Sequence, residues 1–154
     1  MLNDLYQEII LDHSKKPRNC KLMECANHMA EGYNPLCGDK IKLFLDYENG
    51  VVRDISFQGS GCAISTASAS LMTEMLKGKT KEQAETLLWK FHDLLTKETA
   101  DKPASELGKL AVFSGVREFP ARVKCATLAW HTLKAALNGA GEPVTTPVTT
   151  EETA

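Results

Sequence analysis

The chain has 154 residues, is 43% hydrophobic and 25% charged, and balances 18 Lys and Arg against 20 Asp and Glu for a formal charge of -2. This describes one soluble globular domain able to bury a core without disulfide staples, and it argues against a polyanion-binding surface. No apolar run approaches the roughly 18 residues of a membrane helix, and Asp4 and Glu8 stand where a signal peptide would be basic and then apolar, so a cytoplasmic location is expected.

Leu2, Leu5, Tyr6, Ile9 and Ile10 fall on one helical stripe, which predicts an amphipathic N-terminal helix ended by Pro17. An extended segment is expected around Cys25 to Tyr33. From Lys40 to Glu48, Ile41, Leu43, Leu45 and Tyr47 alternate with Lys40, Lys42, Phe44, Asp46 and Glu48, the period of a strand with one buried face. Asn49-Gly50 suits a type I′ turn, and Val51 to Gln58 supplies the returning strand.

After Gly59-Ser60-Gly61 the period becomes helical through Ile64, Ala67, Ser68, Leu71, Met72, Met75 and Leu76, with Gly78 as the stop. Thr80 and Gln83 resemble a capping box for a helix with the stripe Ala84, Leu87, Leu88, Phe91, Leu94 and Leu95. Leu107, Leu110 and Ala111 suggest a short helix broken at Ser114-Gly115. Pro120 then precedes a final helix over about 121–137. The Gly-, Pro- and Thr-rich residues 139–154 read as a disordered tail, leaving one domain over 1–138.

Five cysteines in a reducing compartment are more suited to metal or reactive chemistry than to disulfides. Cys37 lies just before the first strand of the hairpin, where Gly38 lets Asp39 fold back toward the same point. Cys62 opens a helix, where unpaired N–H groups and the dipole favour a thiolate. Cys125 lies in the first turns of the last helix, after Arg122 and Lys124, whose positive charges act in the same sense. Sulfur and carboxylate donors suit tetrahedral zinc, and Cys37, Asp39, Cys62 and Cys125 would make four. Separations of 25 and 63 residues fit no zinc-finger spacing, so chemistry alone also leaves open three buried thiols.

The segments Asn34-Pro35-Leu36-Cys37-Gly38-Asp39, Gly59-Ser60-Gly61-Cys62-Ala63-Ile64-Ser65 and Arg122-Val123-Lys124-Cys125-Ala126 resemble, in order, the three cysteine motifs of the IscU/NifU-like iron–sulfur assembly family. With Asp12-His13 and Pro17-Arg18-Asn19, the resemblance covers about residues 2–137. It implies an α+β fold, a small antiparallel β-sheet packed by helices. Lys124 stands where the scaffold branch typically has His, and the Cys62 to Cys125 interval is longer than in that branch; both features resemble the SufU branch.

What the resemblance implies is a zinc-dependent sulfurtransferase that accepts persulfide sulfur from a cysteine desulfurase of the SUF type and serves downstream iron–sulfur assembly proteins. Cys37, Asp39, Cys62 and Cys125 become zinc ligands and Cys37 the sulfur acceptor, with a histidine of the desulfurase taking the zinc position that Cys37 vacates. The alternative is a scaffold on which an iron–sulfur cluster is assembled on the same donors. A protonated Lys124 cannot ligate, which favours sulfur transfer.

Other candidates read more plainly. Cys20 and Cys25 form a Cys-x4-Cys pair with no second pair, and are expected to be structural or incidental thiols. His13 is expected to be a hydrogen-bonded or helix-terminal side chain, with a partner contact as the alternative, and His28, His92 and His131 show no paired ligand spacing. Arg122 could steady the thiolates or a partner carboxylate, or be a solvated charge.

Overall fold

A computed structural model describes residues 2–24, 26–34, 38–96, 105–138 and 147–149. Helix α1 (Leu2–Lys15) leads into strands β1 (His28–Asn34), β2 (Asp39–Glu48) and β3 (Val51–Ser60), then helices α2 (Ala63–Leu76), α3 (Lys81–Thr96) and α4 (Pro120–Leu137), with a 3₁₀ segment over Ser105–Glu118 before α4. The three strands form an antiparallel meander, and a short strand β4 (Pro147–Thr149) runs parallel to β1, giving the order β3-β2-β1-β4. The fold is thus the expected α+β arrangement. Pro147–Thr149 form a strand where the sequence predicts a disordered tail; residues 139–146 and 150–154 lie outside the described residues.

Local chemistry explains the elements. Asn49 and Gly50 hold φ of 54° and 75°, the positive pair a type I′ turn demands, so the β2–β3 register is set at the hairpin tip. The Thr80 N–H donates to Gln83 Oε1 at 3.0 Å and the Gln83 N–H to Thr80 Oγ1 at 3.1 Å, a reciprocal capping box that starts α3. Pro120 occupies the first turn of α4, where its missing N–H costs nothing.

The core lies between one sheet face and the helices. Ile41, Leu43, Leu45, Ile55 and Phe57 pack with Leu71, Met72, Leu88, Phe91 and Leu133. The small residues Ser65, Ala67, Ser68, Ala69 and Ser70 are buried on α2, which lets α1 and α4 approach it. Trp130 is 1% exposed; its ring packs on Phe91 at 5.0 Å, while its indole N–H donates to Ser68 Oγ at 3.2 Å. Ser68 in turn donates to the Ala126 carbonyl at 2.5 Å, so α2 and α4 are fixed one against the other. Removing the indole would cost about 3–5 kcal/mol.

Two details depart from the sequence pattern. Phe44 falls on the otherwise polar face of β2 yet is 3% exposed, flanked across the sheet by Met29 and Ser56. The segment after α3 is also longer than expected: Ser105–Glu118 continues through Ser114-Gly115, and its non-helical residue is Gly108, with φ of 51°.

Candidate metal centre

Three of the four residues singled out as donors converge. One donor atom from each of Asp39, Cys62 and Cys125 lies within 4.8 Å of the others. They come from the start of β2, the N-cap of α2 and the second turn of α4. Cys37 lies outside the described residues, as does Cys25.

The sequence makes this convergence possible through close backbone approaches. Asn34 pairs with Asp39 at the β1–β2 end, and the Gly38 N–H donates to the Asn34 carbonyl at 2.8 Å while Gly38 adopts φ of 72°. The chain therefore enters β2 with Asp39 buried, at 0% exposure. Gly61 leaves room for the carboxylate: a Cβ there would stand 2.5 Å from Asp39 Oδ1. Gly32 does the same for α4, since a Cβ on it would collide with Thr132 Oγ1. That close approach lets α4 lie flat on β1 and bring Cys125 to the end of the sheet.

Each donor is met by an N–H. The Cys62 backbone N–H donates to Asp39 Oδ1 at 2.9 Å, and Ser65 N–H donates to Cys62 Sγ at 3.4 Å, making the thiol the N-cap of α2. Asn34 Nδ2 donates to Cys125 Sγ at 3.7 Å. Cys62 Sγ and Asp39 Oδ2 are 4.0 Å apart. Cys125 is buried and Cys62 opens to solvent, so the cluster has a closed floor and an accessible side.

This donor set fits a divalent ion. Zn–S bonds near 2.3 Å and Zn–O bonds near 2.1 Å set tetrahedral edges of about 3.6–3.8 Å, close to the 4.0 Å between Cys62 Sγ and Asp39 Oδ2. Two soft sulfurs with one carboxylate suit zinc, and thiolates also suit iron–sulfur clusters. The N–H groups orient each donor toward the common point.

Among the described residues, the remaining candidates stand outside the donor group. Cys20 is exposed and its backbone bridges to Phe57. His13 is 2% exposed, sharing a 2.7 Å hydrogen bond with Ser70 Oγ and lying 3.5 Å from Glu74; burial pulls its pKa below the usual value, reinforced by Arg18 and opposed by Glu74. A His28 ring N–H donates to the Ala136 carbonyl at 2.6 Å. His131 sits edge-on to His92, and burial, then His92 and Lys134, pull its pKa down to about 4. The Arg122 guanidinium stacks over the Phe119 ring, 4.6 Å from its centroid. Asn34 and Gly61 stand within the recognised motifs, but their parts in the site come from contacts with Cys125 and Asp39 that are distant in the chain; their adjacency to Cys37-Gly38-Asp39 and Cys62 is the signal the sequence carries.

Comparison with known proteins places this geometry. Residues 5–126 match the NifU-like N terminal domain family. The chain is 41% identical over 133 residues to the zinc-dependent sulfurtransferase SufU of Bacillus subtilis (strain 168), covering 86% of this chain and 89% of that one. It is also 41% identical over 137 residues to the iron–sulfur cluster assembly scaffold protein IscU of Streptococcus pyogenes serotype M1, covering 88% and 84%. A solved structure assigned to a SUF-system iron–sulfur cluster assembly scaffold from Fervidobacterium islandicum AW-1 superposes with a TM-score of 0.79 at 35% identity, covering 85% of this chain and 95% of that one. With matching motifs, fold and relatives, the chain belongs to the NifU-like N-terminal domain family, among the SufU and IscU iron–sulfur cluster assembly proteins.

Proposed function

We propose that this chain is a zinc-dependent sulfurtransferase of iron–sulfur cluster biogenesis, taking persulfide sulfur from a cysteine desulfurase of the SUF type and passing it to downstream assembly proteins. The observation that carries the reading is the meeting of Asp39, Cys62 and Cys125 donors within 4.8 Å. Asp39, Cys62 and Cys125, with Cys37 as the fourth donor, would hold the ion. Bound zinc supplies a redox-inert positive charge that keeps thiols deprotonated and ties the segments together.

Cys37 is assigned the sulfur exchange. It is two residues from Asp39 on the chain, and it is the cysteine of the first of the three motifs. As a thiolate it attacks the terminal sulfur of the desulfurase persulfide; a new S–S bond forms on Cys37, the old S–S bond breaks, and the desulfurase cysteine leaves as a thiolate. Sulfur changes carrier and no external oxidant or reductant is consumed. Asp39, Cys62 and Cys125 keep the site assembled during the exchange.

Lys124 favours this reading over cluster scaffolding on the same residues. Its ammonium, adjacent to Cys125, carries no lone pair for iron while protonated. The test is to purify the protein without air, quantify zinc and iron, add a SUF-type desulfurase with cysteine, and locate persulfide by mass spectrometry. Sulfur transfer predicts zinc in the protein and persulfide on Cys37. Iron and sulfide held by the chain, with no persulfide at Cys37, would establish the scaffold instead.

A further inference from the structure

We infer that Asn34 is a positioning residue for the metal centre, its side-chain amide donating an N–H···S hydrogen bond that sets the donor strength and direction of Cys125. The inference rests on the zinc reading above and assigns a role to a residue that is not itself a ligand.

The geometry singles out Asn34. Asn34 is 0% exposed at the last position of β1, and its Nδ2 lies 3.7 Å from Cys125 Sγ on α4, 91 residues away in the chain. Asp39 and Cys62 receive N–H groups from the backbone, whereas Asn34 meets Cys125 with a side-chain amide. Once metal-bound, Cys125 is a buried thiolate held close to Asp39 and Cys62. An amide N–H withdraws some of the thiolate charge and fixes the sulfur lone pairs.

Asn34 also joins this sulfur to the rest of the site. Its carbonyl accepts the Gly38 N–H at 2.8 Å and its backbone pairs with Asp39. One residue therefore links the turn before Asp39 to the α4 thiol. The main-chain links survive a side-chain substitution, whereas the N–H···S bond does not.

The experiment compares wild type, Asn34→Leu, which is similar in size but has no donor, and Asn34→Ser, which keeps a shorter O–H donor, after loading each with Co(II). The expected result is a sulfur-to-cobalt charge-transfer band at longer wavelength in Asn34→Leu, an intermediate position in Asn34→Ser, and zinc affinity about 10–100-fold weaker in Asn34→Leu by chelator competition. Loss of packing alone would lower affinity without moving the band toward longer wavelength in that order. A wild-type protein that binds cobalt through sulfur, with an unmoved band in both variants, would overturn the role of Asn34 and leave the zinc reading standing. Failure of wild type to show any sulfur-to-cobalt band would overturn both. Should Asn34→Leu not fold, the Asn34→Ser band decides: an unmoved band overturns the inference.

Discussion

The Asp39 carboxylate accepts the backbone N–H of Cys62 at 2.9 Å, so the first residue of β2 is joined directly to the residue that caps α2. Gly61 makes room for that bond, because a Cβ there would lie 2.5 Å from Asp39 Oδ1. The clash also reaches Asp39 Cγ at 3.0 Å and Cβ at 3.1 Å, and Asp39 is fully buried, so the carboxylate must shift off its bond to Cys62. Gly61→Ala should therefore lower global stability by about 1–3 kcal/mol and weaken zinc retention about tenfold or more. Denaturant titration and chelator competition on the same preparation check the two halves.

Gly59→Ala should destabilise the fold by a different route. Its Cβ would collide with the Lys40 carbonyl oxygen, which the β2–β3 pairing holds in place. Strand separation should cost about 1–3 kcal/mol, as for other overpacked sites, seen as a lower denaturation midpoint.

Asp39→Ala and Asp39→Asn separate charge from hydrogen bonding. The amide side chain of the second variant retains an oxygen able to accept the Cys62 N–H, whereas alanine retains none. Both should lose zinc to a competing chelator more readily than wild type, with alanine the weaker binder. Unchanged affinity in both would remove Asp39 from the ligand set.

Much of this was legible from local chemistry. Asn49-Gly50 announced the hairpin and Thr80 with Gln83 announced a helix start because each acts over two to four residues. Pro120 marked the start of α4 for the same reason. The meeting of Cys125 with Cys62 was different: it depends on Gly32 admitting Thr132 and on Ser68 bonding to Ala126 across α2 and α4, which no local period encodes. Its prediction came from familial motifs. Phe44 looked solvent-facing because alternation assigns faces and cannot say whether the second face is covered. No local pattern marks Asn34, whose amide reaches a residue 91 positions away.

Acid should weaken the fold through His131 and His13. His131 has a pKa of about 4 when folded, against 6.5 for the free side chain, because burial opposes its charge. Above pH 6.5 both states are neutral; as pH falls from 6.5 toward 4 the unfolded chain takes up the proton first, and stability declines by up to about 3 kcal/mol. His13 acts in the same sense. Denaturant unfolding of the apo protein at pH 7 and pH 4.5 should show this loss, and His131→Gln should reduce the difference.

Cys37→Ser should abolish persulfide on the chain after incubation with desulfurase and cysteine, while leaving binding to the desulfurase largely intact. Persulfide transfer at the wild-type rate would refute its assignment as acceptor.

Zinc-edge X-ray absorption on wild type and Cys62→Ser tests the centre itself. The account predicts zinc in a shell of sulfur near 2.3 Å and oxygen or nitrogen near 2.0–2.2 Å, with one fewer sulfur in the variant. A wild-type zinc shell without sulfur, or a sulfur count that Cys62→Ser leaves unchanged, would contradict it.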